Sequence, residues 1–164
     1  MARPAVSSYT VKNRSKYIGS NLHQVVLRSS WERTAALEFD TNPAILGWSS
    51  ESISVAYFHP FKQKWTIYKP DFFVVYVDNT GRTHKAMMEV KPRKEAAREF
   101  MANPALIGGK NPRATKAMAA ILAVNAAKWK AALYYCQKQG WEFVLLTEDE
   151  IFQQRMVPSG AKRN

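Results

Sequence analysis

Cysteine, histidine and long apolar runs are all scarce in this sequence of 164 residues. The single Cys136 excludes an internal disulfide, and His23, His59 and His84 are too scattered to match the ligand spacing of a structural zinc site. No apolar stretch reaches the roughly 18 residues of a membrane-spanning helix. The N-terminus has no apolar core followed by a small-residue cleavage site, so we expect a soluble protein that acts inside a cell.

Acidic residues are also in the minority. The 13 Asp and Glu stand against 24 Lys and Arg, which gives a net charge of +11 and a pI of about 9.9. This excess favours a polyanionic partner, because each phosphate that a protein neutralises releases condensed counterions. Nucleic acid is the first candidate for this partner, and an anionic membrane surface is the second.

The chain divides into three parts by composition. Residues 1–28 carry five basic side chains, no acid and no clear periodicity, which predicts an extended basic arm. Residues 29–157 contain the periodic segments and form one predicted domain, long enough for a hydrophobic core of its own. Residues 158–164 are polar and basic, which predicts a loose tail.

The first half of the domain predicts a helix followed by meandering strands. Ser29 and Glu32 fit a capping box at the start of the helix, and Asn42 before Pro43 ends it. Four extended segments follow, which are residues 53–58, 65–68, 72–77 and 84–90. The first two are predicted to form a hairpin, and three or four of these strands are predicted to meander together.

The second half predicts a long helix and a last strand. The helix follows Pro112, ends at Gly140 and carries an apolar stripe formed by Met118, Ile121, Leu122, Trp129, Leu133 and Cys136. Residues 141–146 form the last strand, and Thr147 with Glu150 makes a second capping box. The whole order predicts an α/β (α+β) class with a mixed central sheet flanked by helices.

The candidate chemistry lies at the end of the fourth predicted strand. Alternation along a strand places Glu89 and Lys91 on one face and turns Val90 into the core. Asp71 starts the preceding strand, and a four-residue turn between the two strands brings it close to Glu89. Two such carboxylates suit Mg²⁺ or Mn²⁺, while Lys91 would orient or deprotonate a water or stabilise a transition state. This combination predicts metal-assisted phosphodiester hydrolysis.

Each of these residues also has a plainer explanation. An exposed Glu-Lys pair on a strand needs no function and contributes under about 1 kcal/mol. The capping box accounts for Glu32, which is also a candidate for a further metal-binding carboxylate. Glu51 is a second such candidate, although we interpret it as structural. The positions of Asp71, Glu89 and Lys91 at the correct strand ends favour the functional interpretation.

Several motifs resemble known nucleases. Pro70-Asp71 and the segment 89–91 (EVK), preceded by a helix that bears Glu32, resemble the PD-(D/E)xK nuclease superfamily. A closer resemblance is to the head completion nucleases of tailed bacteriophages, and it covers residues 12–151. It rests on the segments 28–32 (RSSWE), 47–51 (GWSSE), 70–72 (PDF), 89–95 (EVKPRKE), 128–132 (KWKAA) and 146–149 (LTED).

The resemblance implies a restriction-endonuclease-like core and a magnesium-dependent deoxyribonuclease that cuts as an endonuclease, an exonuclease or both. It implies catalytic roles for Asp71, Glu89, Lys91 and Glu32, with the three acids holding the metal. We also predict DNA contacts at three basic residues, Arg28, Arg93 and Lys94. Residues 97–109 depart from the Lys-rich and Pro-rich loop that is typical of the relatives, which leaves no predicted DNA contact there.

The family is understood to act on packaged DNA before the tail joins the filled head. The implied partners are therefore double-stranded DNA and phage head or neck proteins, in the host cytoplasm or on the virion. Two alternatives share the same core: a catalytically idle structural or DNA-binding protein of the head-tail connector, and a restriction-like or transposon-end endonuclease. The intact acids and lysine favour an enzyme, and the extent of the resemblance favours the phage function.

Overall fold

The computed structural model describes residues 6–96, 112–152 and 156. A 3-10 turn at Arg14–Lys16 lies between the first two strands. The elements in chain order are β1 (Ser7–Ser8), β2 (Val26–Leu27), α1 (Ser30–Thr41), β3 (Ile45–Ser50), β4 (Val55–His59), β5 (Lys64–Tyr68), β6 (Phe72–Val77), β7 (Thr83–Val90), α2 (Arg93–Ala96), α3 (Pro112–Gln139), β8 (Glu142–Leu146) and α4 (Glu148–Phe152).

The central sheet has four strands in the order β3-β6-β7-β8. β6 pairs antiparallel with β3 and with β7, whereas β8 runs parallel to β7. A parallel neighbour requires a crossover connection, and α3 lies in that connection. α1 packs against one face of the sheet and α3 against the other. The predicted class, a mixed sheet flanked by helices, is confirmed.

The first helix begins and ends at the predicted residues. The hydroxyl of Ser29 accepts the N–H of Glu32 at 3.1 Å, and the Glu32 carboxylate accepts the N–H of Arg28 at 2.9 Å. The Ser29 hydroxyl therefore satisfies a helix N–H that has no intrahelical partner, and the Glu32 carboxylate satisfies the N–H of the residue before the cap. At the other end, the N–H of Asn42 donates to the carbonyl of Glu38 at 2.8 Å.

The sequence did not predict β3. Its residues, ILGWSS, combine three large apolar side chains with a glycine and two serines, which have low strand propensity. The strand nevertheless lies in the centre of the core, because the buried ring of Trp48 contacts four other aromatic rings. These belong to Tyr9, Tyr17, Phe39 and Phe72, with centroids 4.9 to 6.5 Å away.

The predicted hairpin forms, but it does not join the central sheet. β4 and β5 pair antiparallel as a separate two-stranded sheet, with Phe58 opposite Trp65 and Val55 opposite Tyr68. β4 packs on α3, and Val55, Tyr57 and Tyr68 share a buried cluster with that helix. The prediction that three or four of these strands meander together is therefore wrong, because only β6 and β7 of them share the central sheet and the hairpin packs on a helix instead.

The long helix ends as predicted, at a left-handed Gly140 with φ of 71°. Its buried face is partly different from the predicted stripe. Ile121 and Leu133 are exposed, and the buried positions over residues 116–139, where burial is described, are Leu122, Asn125, Ala132 and Cys136. The predicted stripe had combined apolar residues from two adjacent faces of the helix.

The first residues of the described chain pack into the core, which differs from the extended arm predicted for residues 1–28. β1 pairs with β2, and five apolar side chains of this segment are buried. The buried Asp40 of α1 accepts the hydroxyl of Tyr9 at 2.9 Å and the N–H of Lys12 at 2.6 Å. Burial here follows irregular backbone, so no period in the sequence indicated it.

Some predictions fall on residues outside those that the structure describes. These are the loop at 97–109 and the tail at 158–164. Within the described part of the chain, no helix is both long and apolar enough to cross a bilayer.

Candidate active site

The pairing of β6 with β7 brings the two predicted acids together. Phe72 lies opposite Met88, so Asp71 and Glu89 follow as neighbours at the end of the strand pair. Asp71 Oδ2 accepts the N–H of Val90 at 2.7 Å, which fixes its carboxylate against β7. Both acids lie on the sheet face that packs against α3, because that face also carries Met87.

Both carboxylates sit in an environment that opposes their charge. Burial raises the pKa of Asp71 well above its usual value, and the negative charges of Glu89 and Glu32 raise it further. The hydrogen bond from Val90 and the charge of Lys91 act in the opposite direction. Burial also raises the pKa of Glu89, against the lowering effect of Lys91 and Lys128.

Lys91 lies beside Glu89, as the strand alternation predicted. Its Nζ is 3.5 Å from Glu89 Oε1, and its backbone N–H donates to the carbonyl of Leu146 at 2.9 Å. Burial acts to lower the pKa of Lys91, but the charges of Glu89 and Asp71 outweigh it and raise that pKa. Lys91 is therefore a cation held between two acids.

Lys128 is a site residue that the sequence did not identify. It projects from α3, and its Nζ lies 5.6 Å from the ring centroid of Tyr68 and 5.9 Å from that of Tyr57. Burial lowers its pKa, which the charge of Glu89 partly restores. It interacts electrostatically with both acids and with Lys91, and it therefore adds a second positive charge to the site.

Tyr68 is a second residue that the sequence did not identify. Its hydroxyl is buried without a hydrogen-bond partner among the described residues. Burial raises the pKa of this hydroxyl, and the charges of Glu89 and Asp71 raise it as well. A buried hydroxyl without a partner is costly in a native structure, so it suggests a group that acts on a bound molecule.

Glu32 lies near the acid pair, but its carboxylate is already engaged. It accepts the N–H of Arg28 and lies 3.1 Å from the hydroxyl of Ser29. Its charge raises the pKa of Asp71, which places it within electrostatic reach of the site. In the described parts of the chain, no three His, Cys, Asp or Glu side chains are grouped to hold one metal ion. The structure therefore brings Asp71 and Glu89 together and leaves Glu32 at the helix cap.

Glu51 and Arg28 form an ion pair beside this cap. Arg28 donates to Glu51 from Nε at 2.8 Å and from an Nη at 3.3 Å. Glu51 has a φ of 49°, which a non-glycine residue rarely adopts, and its N–H donates to the carbonyl of Asp71 at 3.0 Å. Glu51 thus supports the backbone at Asp71, in agreement with its structural interpretation.

The other two basic residues predicted to contact DNA lie on α2. The N–H of Arg93 donates to Glu148 at 2.7 Å, and its guanidinium is 3.2 Å from Asp149. Both acids belong to the first turn of α4, so Arg93 joins α2 to that helix. Lys94 is exposed on α2. The described contacts of Arg93 are structural, and the DNA contacts of both residues stay predictions.

The donor groups at the acid pair fit a hard divalent cation. Glu89 Oε2 is buried without a hydrogen-bond partner in the described residues. One oxygen of Asp71, Oδ2, already accepts a hydrogen bond from the N–H of Val90. Carboxylate oxygens are the preferred protein ligands of Mg²⁺, which keeps several waters in its remaining positions. A divalent cation would also relieve the repulsion that raises the pKa of Asp71.

Comparison with known proteins gives two matches. A family model described as TnsA-like endonuclease N terminal matches residues 42–148, which include both acids and both lysines but not Glu32. The chain is also 33% identical over 138 residues to a protein named head completion nuclease, from Enterobacteria phage T4. That alignment covers 84% of this chain and 87% of the relative. No solved structure matches the chain.

Proposed function

Because the chain belongs to the TnsA-like endonuclease N-terminal family and shares most of its length with a head completion nuclease, we propose that it is a metal-dependent deoxyribonuclease. Asp71, Glu89 and Lys91 form its proposed active centre. The observation that carries the proposal is a pair of neighbouring carboxylates, Glu89 buried and Asp71 half-buried, that interact with two lysines. Such an arrangement destabilises a folded protein, and perturbed acids of this kind cluster at functional sites.

Asp71 and Glu89 would hold Mg²⁺, or Mn²⁺ in its place. When bound, such an ion neutralises phosphate charge and makes a coordinated water more acidic. Glu32 would act on waters around the site rather than as a ligand, since its carboxylate caps α1. The chain's own residues then have to place the scissile phosphate and the attacking water.

Lys91 is the residue proposed to act on the reacting groups. In phosphodiester hydrolysis, a water oxygen bonds to phosphorus and the bond from phosphorus to the leaving oxygen breaks. The water gives up a proton to solvent, and the leaving oxygen takes one up from solvent to become a hydroxyl. Lys91 lies 3.5 Å from Glu89 and would orient the water or stabilise negative charge on the phosphoryl oxygens. Lys128 of α3, which interacts electrostatically with Glu89, would neutralise a phosphate oxygen, and the hydroxyl of Tyr68 would donate a hydrogen bond within the site.

The experiment that tests this function is a cleavage assay. The purified full chain is incubated with supercoiled and with linear plasmid in Mg²⁺, in Mn²⁺ and in EDTA. We expect cleavage with either metal and none in EDTA, and the two plasmid forms separate endonuclease from exonuclease action. Intact DNA in both metals would support the catalytically idle alternative, and equal cleavage in EDTA would overturn the metal dependence.

We further propose that the enzyme trims packaged DNA during phage head completion, with head or neck proteins as its partners. The name of the T4 relative and its nearly full-length alignment support this assignment. A phage that carries Glu89→Gln should then accumulate DNA-filled heads without tails in electron micrographs. Normal tailed particles from that phage would contradict the assignment.

A further inference from the structure

The outer face of the β4–β5 hairpin exposes several large apolar side chains. Alternation turns Val55, Tyr57 and Tyr68 inward to α3 and leaves the opposite face uncovered by described residues. The exposed fractions on that face and its turn are 45% for Phe58, 60% for Phe61, 71% for Trp65 and 58% for Ile67. Phe58 and Trp65 also contact each other edge to face across the strands, with centroids 5.8 Å apart. A contiguous exposed patch of this kind is typical of a binding surface.

The charge around this patch has one sign. Residues 52–70 contain no Asp or Glu, and they include Lys62, Lys64 and Lys69. Burial lowers the pKa of His59 in the turn, and the charges of Lys62, Lys128 and Lys64 lower it further. The hairpin turn therefore lies in a positive field, which complements a polyanion rather than an apolar or basic protein surface.

The patch and the proposed active centre lie on opposite faces of the hairpin but are close along the chain. β5 runs from the turn to Tyr68, whose hydroxyl interacts electrostatically with Glu89 and Asp71. Trp65 and Asp71 are six residues apart, which is at most about 20 Å of extended chain at roughly 3.3 Å per residue. That span corresponds to about six nucleotides at the 3.4 Å rise of a stacked strand. A strand that enters the site can therefore reach the patch.

We propose that this face of the hairpin binds unstacked bases of single-stranded DNA next to the cleaved bond. Trp65 and Phe61 supply aromatic surfaces on which bases stack, and Lys62 and Lys64 contact the adjoining phosphates. Exposed aromatic rings among lysines are the combination that binds single strands without sequence preference. The inference rests on the proposed nuclease function, because it assigns a single-stranded segment to the DNA that the enzyme acts on.

The test compares Trp65→Ala with a matched exposed aromatic elsewhere. Tyr134 on α3 is 59% exposed, and its ring lies 4.7 Å from the Nζ of Lys138. Tyr134→Ala therefore also removes an exposed aromatic ring next to a lysine. Fluorescence anisotropy measures the affinity of each variant for a single-stranded oligonucleotide and for a blunt duplex. EDTA in the buffer prevents cleavage, and circular dichroism confirms that each variant folds.

Trp65→Ala should weaken binding of the single-stranded oligonucleotide about tenfold or more, because one base loses its stacking partner. Trp65→Phe should keep most of the affinity, since it keeps a ring. Tyr134→Ala should bind like the wild type, and the blunt duplex should be affected less than the single strand in every variant.

Unchanged oligonucleotide binding by Trp65→Ala would overturn the inference. If Trp65→Ala lost affinity equally for the oligonucleotide and for the duplex, the inference would also be overturned, and Trp65 would be a general DNA contact. A dimer in sedimentation that Trp65→Ala dissociates would show that a second copy occupies the patch. Because binding is measured without metal, Trp65-dependent binding in a protein that never cleaves DNA would reject the nuclease function and keep the hairpin surface.

Discussion

At the level of single residues, the two acids that the proposed chemistry requires lower the stability of the fold. Asp71 and Glu89 repel each other in a buried position, and desolvation raises the pKa of both. Hydrophobic residues of similar volume would be expected to stabilise this position. This cost in stability is explained if the acids hold a cation and, through it, a phosphate, because functional sites are where a sequence is expected to violate local packing rules.

The roles of Lys91 can be separated by two substitutions. Lys91→Met removes the charge and keeps much of the stem, whereas Lys91→Arg keeps the charge on a wider planar group. If Lys91 acts in the transition state, Lys91→Met should lower turnover about a hundredfold or more and barely change DNA affinity. Lys91→Arg should recover only part of the rate. Turnover is measured in Mg²⁺, and affinity is measured in Ca²⁺, which is expected to bind without supporting cleavage.

A simple phosphate contact at Lys91 would give the reverse pattern. The methionine variant would then bind DNA more weakly, with a shallower dependence on salt, and would turn over saturating DNA at a near-normal rate. Lys130→Met is a suitable control, since Lys130 is an exposed lysine of α3 close in sequence to Lys128. It should leave turnover unchanged.

Strand alternation was sufficient to predict that three residues of the candidate site lie together. Asp71, Glu89 and Lys91 stand at strand ends, where a period of two and a short turn fix their relative positions. Lys128 and Tyr68 reach the site from a helix and a hairpin that are distant in the sequence from the acids. Their approach depends on how α3 crosses the sheet, which no local pattern in the sequence specifies.

At the level of elements, the predictions succeeded where a local signal existed. The capping box at Ser29 and Glu32 and the left-handed Gly140 fixed the ends of α1 and α3. β3 was missed because its glycine and serines weaken the strand pattern. The packing of residues 9–27 was missed because irregular backbone buries side chains without a period. Trp48 of β3 contacts Tyr9 and Tyr17 of this N-terminal segment, so both unpredicted segments belong to the same part of the core.

The packing of the N-terminal segment leads to a stability prediction at Asp40. This buried carboxylate accepts hydrogen bonds from the hydroxyl of Tyr9 and from the backbone N–H groups of Lys12 and Asn13. These bonds connect the segment to α1. Asp40→Ala removes all three bonds, so it should lower the free energy of unfolding by about 2 to 4 kcal/mol. Urea denaturation monitored by circular dichroism measures this change.

The control for Asp40 is Glu38→Gln on the same helix. Glu38 accepts the side-chain amide of Asn42 at 2.7 Å, and glutamine can still accept that bond. Its free energy of unfolding should change by less than about 0.5 kcal/mol. If Asp40→Ala unfolds at the same urea concentration as the wild type, the N-terminal segment is not part of the cooperative core.

At the level of the whole molecule, the fold collects one site from distant parts of the chain. The acids come from β6 and β7, the lysines from the end of β7 and from α3, and the neighbouring cap from α1. The net charge of +11 attracts a polyanion toward this surface, and its effect weakens as salt screens it. The positive hairpin extends the same surface beyond the acids.

The central claim is that Asp71 and Glu89 serve cleavage rather than folding, and isosteric amides test it most directly. Plasmid cleavage in Mg²⁺ is measured for Asp71→Asn and Glu89→Gln, with Glu38→Gln as the matched acid-to-amide control. Asparagine at position 71 can still accept the N–H of Val90, so the backbone contact is retained. We predict that both site variants lose cleavage about a hundredfold or more. Their melting temperatures should equal or exceed that of the wild type, since desolvation raises the pKa of both acids and a neutral amide avoids that cost. A folded Asp71→Asn or Glu89→Gln variant that cleaves at the wild-type rate would contradict the account.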